Sequence, residues 1–244
     1  PVMAAGAPSD AFETVIEAAR IAIKYMTPVI LLSDGYIANG AEPWKIPDLA
    51  ALPDISVPFL TEPNTPEGFL PYLRDPETLS RPWAVPGTPG LEHRVGGLEK
   101  EDGSGNVKYD GANHELMTGY REDKIAGIAK DIPDLEVDAD EGAELLVLGW
   151  GSTSSAIHAA VRMFRHSGGK VARAHLRHLN PFPANLGEVL RSYDKVLIPE
   201  MNRGQLWRMI RSEYLVPAIR YTQVKGMPFK AHDITAKIME TIAS

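Results

Sequence analysis

Between Glu144 and Ala243 four short apolar runs alternate with four helical stretches. The runs are ELLVLGWG (144–151), KVARAHLRHL (170–179), KVLIPE (195–200) and AIRYTQV (218–224). Each is followed by a stretch of helical periodicity. In the first, Ile157, Ala160, Val161 and Phe164 fall on one face and Gly168-Gly169 ends the helix; in the last, Ile234, Ile238 and Ile242 share a face. Strands lacking polar alternation are covered on both sheet faces, and strand–helix alternation makes a sheet parallel. The expected fold class is therefore α/β, with residues 144–244 a compact doubly wound domain.

The first forty residues carry a βαβ unit of their own. PVMAA (1–5) reads as a strand and Asp10 as a helix N-cap, with Glu13 completing a capping box. Phe12, Val15, Ile16, Ala19 and Ile23 form an apolar stripe, and Val29–Leu32 a second strand. Two strands cannot cover their own faces and edges. The chain is thus expected to open inside a domain, with its sheet completed by residues before Pro1 or after Gly40. Residues 41–93 are too rich in proline for long helices or central strands. Residues 94–113 read as a hairpin around Asp102–Gly105. A calcium loop there fails, because position 6 is Val107 and position 12 is Asn113. A polar helix is expected from His114 to about Ala129. The acidic segment 132–143 reads as a linker, giving domains at 1–131 and 144–244.

Composition narrows the function classes. With 44% hydrophobic residues the chain can bury a core, and a net charge of -7 argues against nucleic acid or an anionic membrane as partner. No run of 18 apolar residues occurs, so no membrane span is expected. Without cysteine the chain itself ligates no iron–sulfur cluster or thiolate zinc and holds no disulfide, which fits a cytoplasmic location.

Candidate site residues lie where strands end. Asp34 follows the LLS strand end and Glu200 follows VLIP; open α/β sheets collect ligands outside such ends. The plainer alternative is that each acid caps a neighbouring helix. GWGSTSSA (149–156) joins a strand to a helix N-terminus, which favours anions, and contributes Ser152; the plainer alternative is a tight turn with an N-cap. Asn39 and Asn202, in SDGYIANG and IPEMNRGQL, complete the candidate set. No residue stands out as catalytic. No metal site is expected either: His175 and His178 are an odd number apart on a strand, and His158 and His166 two helical turns apart. On KVARAHLRHL, Arg173, His175 and Arg177 share one face. That face is expected to meet a polar neighbour: another domain, another subunit or an anionic ligand.

Taken together, PSDAFE, TPVILLSDGYIANGAEPW, PGTPGLEH, GWGST, LNPFP, IPEMNRGQL and KGMPF resemble the α subunit of the 2-oxoacid:ferredoxin oxidoreductases, nearest to the 2-oxoglutarate branch of actinobacterial type. The resemblance implies that residues 1–131 are the latter half of a pyrimidine-binding thiamine domain with a Pro-rich insertion. Residues 144–244 would be similar to the transketolase C-terminal domain. It implies oxidative decarboxylation of a 2-oxoacid to acyl-CoA and CO₂ with reduction of ferredoxin, CoA being the co-substrate. Thiamine diphosphate, Mg²⁺ and a [4Fe-4S] cluster would be carried with a β subunit. Further partners implied are an upstream segment of the same polypeptide, ferredoxin and a second copy of the heterodimer. The carboxylate that activates the cofactor and the groups that hold the 2-oxoacid would lie upstream of Pro1. Two alternatives stand beside this reading: a transketolase-like or dehydrogenase thiamine component without ferredoxin chemistry, and a CoA- or nucleotide-binding module.

Overall fold

The structure, a computed structural model, describes residues 1–244. The chain divides into two compact units. One holds Pro1, Ile16–Val29 and Asp48–Asp131; the other holds Val2–Val15, Ile30–Pro47 and Ile132–Ser244. The chain begins with β1 (Val2–Ala4), α1 (Ala11–Lys24), β2 (Ile30–Leu32) and α2 (Gly35–Asn39). The Pro-rich region contributes only β3 (Phe59–Leu60) and β4 (Trp83–Ala84), followed by α3 (Gly111–Gly127). Then come β5 (Val137–Asp138), β6 (Leu145–Trp150), α4 (Ser154–His166), β7 (Ala172–Leu176) and β8 (His178–Asn180). The chain ends with α5 (Leu186–Arg191), β9 (Lys195–Glu200), α6 (Gln205–Tyr214), β10 (Ile219–Thr222) and α7 (Ala231–Ala243).

The alternation read in 144–244 folds as a five-stranded sheet of order β10-β9-β6-β7-β5. Its first four strands are parallel. The period-two geometry of β6 sends Leu146 and Leu148 to one face, where they meet Leu186 and Leu190 of α5 and Leu206 and Ile210 of α6. Leu145 and Val147 point to the other face, against Ile157, Ala160 and Val161 of α4 and Ile234 and Ile238 of α7. Helices on both faces make the sheet doubly wound, as the unalternating strands imply.

Three elements depart from the sequence reading. The run 170–179 is two strands: β7 stays in the large sheet, while β8 leaves at Arg177 and pairs antiparallel with β1. The small sheet is therefore β2-β1-β8, and residues from beyond Gly40 add a strand to the opening βαβ unit, whose two strands pair in parallel as expected. The outer edge of β2 is open, and Ile30 and Leu31 are exposed. The segment 132–143 carries β5, which pairs antiparallel with β7 and sets Asp138 opposite Arg173. In α1 the fully buried positions are Thr14, Ile21 and Tyr25, while Val15 is half exposed. Two apolar stripes run along this helix at the same 3.6-residue spacing, so periodicity alone does not choose between them. The Asp10 side chain does not cap α1; it accepts from Gly6 N–H at 2.8 Å.

In the other unit the hairpin around Asp102–Gly105 forms, with Lys100 bridging Val107 antiparallel. Asn113 accepts from Asp102 N–H at 3.3 Å and donates to the Lys100 carbonyl at 2.9 Å, tying the turn to α3. The residue that breaks the calcium-loop pattern thus holds the hairpin onto the helix. Asp110 caps α3, accepting from Asn113 N–H at 2.9 Å.

Candidate functional site

The carboxyl ends of β1, β2, β6 and β9 converge on a pocket of about 240 Å³. Its walls include Asp34 and Ile37 beside β2, Trp150–Thr153 after β6, and Met201, Asn202 and Gln205 between β9 and α6. Of the candidate residues, Asp34, Ser152 and Asn202 are brought together here, although Asp34 and Ser152 are 118 positions apart in sequence. One Asp34 oxygen caps α2, accepting from Tyr36 and Ile37 N–H at 3.0 Å each. The other accepts from the Ser152 hydroxyl. Ser152 is almost fully buried. It sits in a single 3₁₀ turn (Gly151–Thr153), where Gly151 takes a φ of 57° that a β-carbon would strain. Thr153 Oγ1 accepts from Trp150 N–H at 3.2 Å and donates to the Trp150 carbonyl at 2.7 Å, closing the turn.

Glu200 lies beside the pocket and does not line it. It is wholly buried, and four donors saturate its carboxylate. Oε1 accepts from Trp150 Nε1 at 3.2 Å, Asn202 Nδ2 at 3.0 Å and Leu206 N–H at 2.9 Å. Oε2 accepts from Trp207 N–H at 3.0 Å. Leu206 and Trp207 belong to the first turn of α6, so Glu200 fills the place where that helix has unpaired donors and a positive dipole end. Asn202 Oδ1 adds bonds to the N–H groups of Gly204 and Gln205, at 2.7 and 3.0 Å. Asn39 is exposed, lies outside the pocket, and donates to the Gly35 carbonyl of its own helix at 2.8 Å.

The polar face of β7 borders a second, larger cavity of about 600 Å³. Its arginines are matched within their own unit: Arg173 Nε pairs with Asp138 Oδ2 at 2.7 Å, and Arg177 with Asp10. The polar neighbour expected for this face is therefore local, supplied by β5 and by the loop before α1. Sequence reasoning missed Asp10 and Asp138 as partners. Their one visible signal was the unpaired charge on β7, because cross-strand and loop pairing leaves no fixed spacing. Between the arginines, His175 Nε2 is buried without a partner, and burial pushes the imidazole down to about 4. Asp10 opposes that shift, while Arg173 and Arg177 add to it.

This neutral histidine has a measurable consequence. Its folded value lies below the 6.5 of the unfolded chain, so between the two the unfolded state binds more protons. Its contribution is complete above pH 6.5 and is lost as pH falls toward about 4. The full loss is on the order of 2–3 kcal/mol. His175→Gln is expected to flatten that part of the stability profile, measured by denaturant unfolding of both proteins across the interval. Parallel profiles would contradict the assignment.

The geometry offers binding groups rather than an acid–base pair. It also does not fit thiamine diphosphate or its metal. The one wholly buried glutamate is saturated by internal donors, and no three His, Asp or Glu side chains gather as metal ligands.

Comparison with known proteins places the chain. Residues 1–110 match the family model described as pyruvate flavodoxin/ferredoxin oxidoreductase, thiamine diphosphate-binding, and residues 143–234 match pyruvate:ferredoxin oxidoreductase core domain II. The chain is 56% identical over 243 residues to 2-oxoglutarate oxidoreductase subunit KorA of Mycobacterium tuberculosis, covering 99% of this chain and 36% of that protein. The chain belongs to the 2-oxoacid:ferredoxin oxidoreductase family. To subunit alpha of 2-oxoacid:ferredoxin oxidoreductase 1 of Aeropyrum pernix it is 28% identical, over 99% of this chain and 38% of that subunit. A solved 2-oxoglutarate:ferredoxin oxidoreductase of Magnetococcus marinus, with 2-oxoglutarate, coenzyme A and succinyl-CoA bound, superposes with a TM-score of 0.86 at 30% identity. That match covers 99% of this chain and 42% of that one. The family's α/β fold is thus present here as a thiamine-domain match followed by a core-domain-II match. The chain spans 36–42% of the length of these relatives.

Proposed function

We propose that this chain is part of the α subunit of a thiamine-diphosphate-dependent 2-oxoglutarate:ferredoxin oxidoreductase. The observation that carries the reading is the 56% identity, sustained over 99% of the chain, to a 2-oxoglutarate oxidoreductase subunit. The reaction balances as one 2-oxoacid, one CoA and two oxidised ferredoxins giving acyl-CoA, CO₂, two reduced ferredoxins and a proton. With 2-oxoglutarate the product is succinyl-CoA, a step of the tricarboxylic acid cycle in a cytoplasmic enzyme.

In this reading the chain supplies scaffold and pocket wall, and the groups that activate the cofactor lie elsewhere in the assembly. A β subunit carries thiamine diphosphate with Mg²⁺ and the [4Fe-4S] cluster, and two such heterodimers form a heterotetramer that reduces ferredoxin. The saturated Glu200 and the absence of cysteine from the sequence support that division of labour. Residues 1–131 act as the pyrimidine-domain portion and 144–244 as the second domain. The connecting 132–143 also supplies the edge strand β5. Asp34, Ser152 and Asn202 are the contact residues we assign to the small pocket.

The test is the specificity of the assembled enzyme. Rates of CoA-dependent ferredoxin reduction with 2-oxoglutarate and with pyruvate are expected to differ in kcat/KM by at least about 10²-fold. A missing carboxylate leaves site groups unpaired, and such losses are large. Equal values, or a preference for pyruvate, would overturn the 2-oxoglutarate assignment.

A further inference from the structure

On the unit that holds the Pro-rich region, three cations gather with one carboxylate between them. Arg74 is the innermost: its side chain is only 10% exposed. Its guanidinium carbon stands 4.8 Å from the centre of the Tyr120 ring and 5.8 Å from that of Tyr72. Arg81 stacks on Tyr72 as well, at 4.7 Å. One aromatic ring therefore holds two guanidinium groups close together. Lys124 joins from α3: Met117, Tyr120 and Lys124 lie at i, i+3 and i+7 on one helix face, and Arg74 touches the first two.

The charges do not balance. Arg74 Nη1 pairs with Asp102 at 3.1 Å, and Arg81 donates to the Pro71 carbonyl at 3.4 Å. Cation–π stacking and these acceptors account for both arginines. They do not account for Lys124. It makes no ion pair, and burial together with the charges of Arg74 and Arg81 pushes its amine down to about 8. Holding a third cation beside two others costs free energy unless an anion shares the space. Three positive charges less one carboxylate leave two, the charge of a phosphate dianion, and guanidinium edges with an ammonium are the groups that bind phosphate oxygens.

We propose that Arg74, Arg81 and Lys124 form a binding site for a phosphate group. Arg74 is the fixed base of the site, while Arg81 and Lys124, both part-exposed, close on the ligand. The inference stands on this cluster alone and does not depend on the reaction assigned above. The ligand is either free phosphate or a phosphate carried on a larger molecule such as CoA.

Lys124 reports its own occupancy. In the complete protein, acetic anhydride labelling of each lysine is read by mass spectrometry across the alkaline range, in chloride, in inorganic phosphate and in CoA at matched ionic strength. In chloride Lys124 is expected to titrate near 8. A bound phosphate should move the midpoint up by about one unit and cut labelling below it about tenfold, leaving exposed Lys45 unchanged. Arg81→Met should abolish most of that protection. Protection by CoA but not phosphate would assign a ligand-borne phosphate, and protection by phosphate alone the free ion; either upholds the site. Lys124 labelling alike in all three salts, or protection undiminished in Arg81→Met, would overturn it. If Lys124 resists labelling throughout, the phosphate ³¹P line decides instead: broadening by the wild-type protein but not by Arg81→Met upholds the site, and equal broadening refutes it.

Discussion

Glu200→Ala is expected to lower the stability of this chain by about 3–5 kcal/mol, the range for removing one partner from a buried charged network. Four donors point at that carboxylate: two first-turn N–H groups of α6, Trp150 Nε1 and Asn202 Nδ2. Alanine leaves all four without an acceptor in a wholly buried position, and each orphan costs about 1–3 kcal/mol before any water enters. For a chain of this size each kcal/mol corresponds to about 2–4 °C in Tm, so thermal unfolding should shift down by roughly 10 °C. Glu200→Gln keeps the shape and one carbonyl acceptor, and should lose about half as much. A Glu200→Ala protein melting within about 2 °C of wild type would show that the carboxylate does not hold β9, α6 and Trp150 together.

The same residue shows how far the sequence can be read. A glutamate ending the apolar run KVLIP is visible as a strand-end acid, and the sequence leaves it two roles, ligand contact or helix cap. The choice between them needs Trp150, whose indole arrives from fifty residues away. Asp34 and Ser152 pose the same problem: each is legible as a turn residue at a strand end, and their contact is not, because no spacing encodes it. The repeats of 144–244 are legible because every strand there is apolar on two faces and every helix has one apolar stripe, so pattern and burial coincide. KVARAHLRHL misleads for a related reason. Its alternation fixes which side chains point inward, but not that the backbone turns away after Leu176 to join β1. In 132–143 the charges draw attention from Ile132, Leu135 and Val137, whose partial or full burial anchors the segment beside β7. The cluster of Arg74, Arg81 and Lys124 has only half a signature, the Met117–Tyr120–Lys124 helix face. Its arginines come from a Pro-rich stretch with no period.

The largest functional effect expected is one of presence or absence. The pocket groups here bind and cap, and the only wholly buried glutamate is spent on a helix end. On this account the 244-residue chain contributes structure to an oxidoreductase whose electron and acyl chemistry is performed by the assembly. The direct measurement is 2-oxoglutarate- and CoA-dependent reduction of ferredoxin, followed side by side for the 244-residue chain and for the complete enzyme with its β subunit, both given thiamine diphosphate and Mg²⁺. The account predicts turnover by the complete enzyme, acyl-CoA formed in step with one CO₂ and two reduced ferredoxins, and no turnover by the chain alone. Turnover by the chain alone at a rate near that of the complete enzyme would contradict it, as would a complete enzyme that reduces no ferredoxin with 2-oxoglutarate.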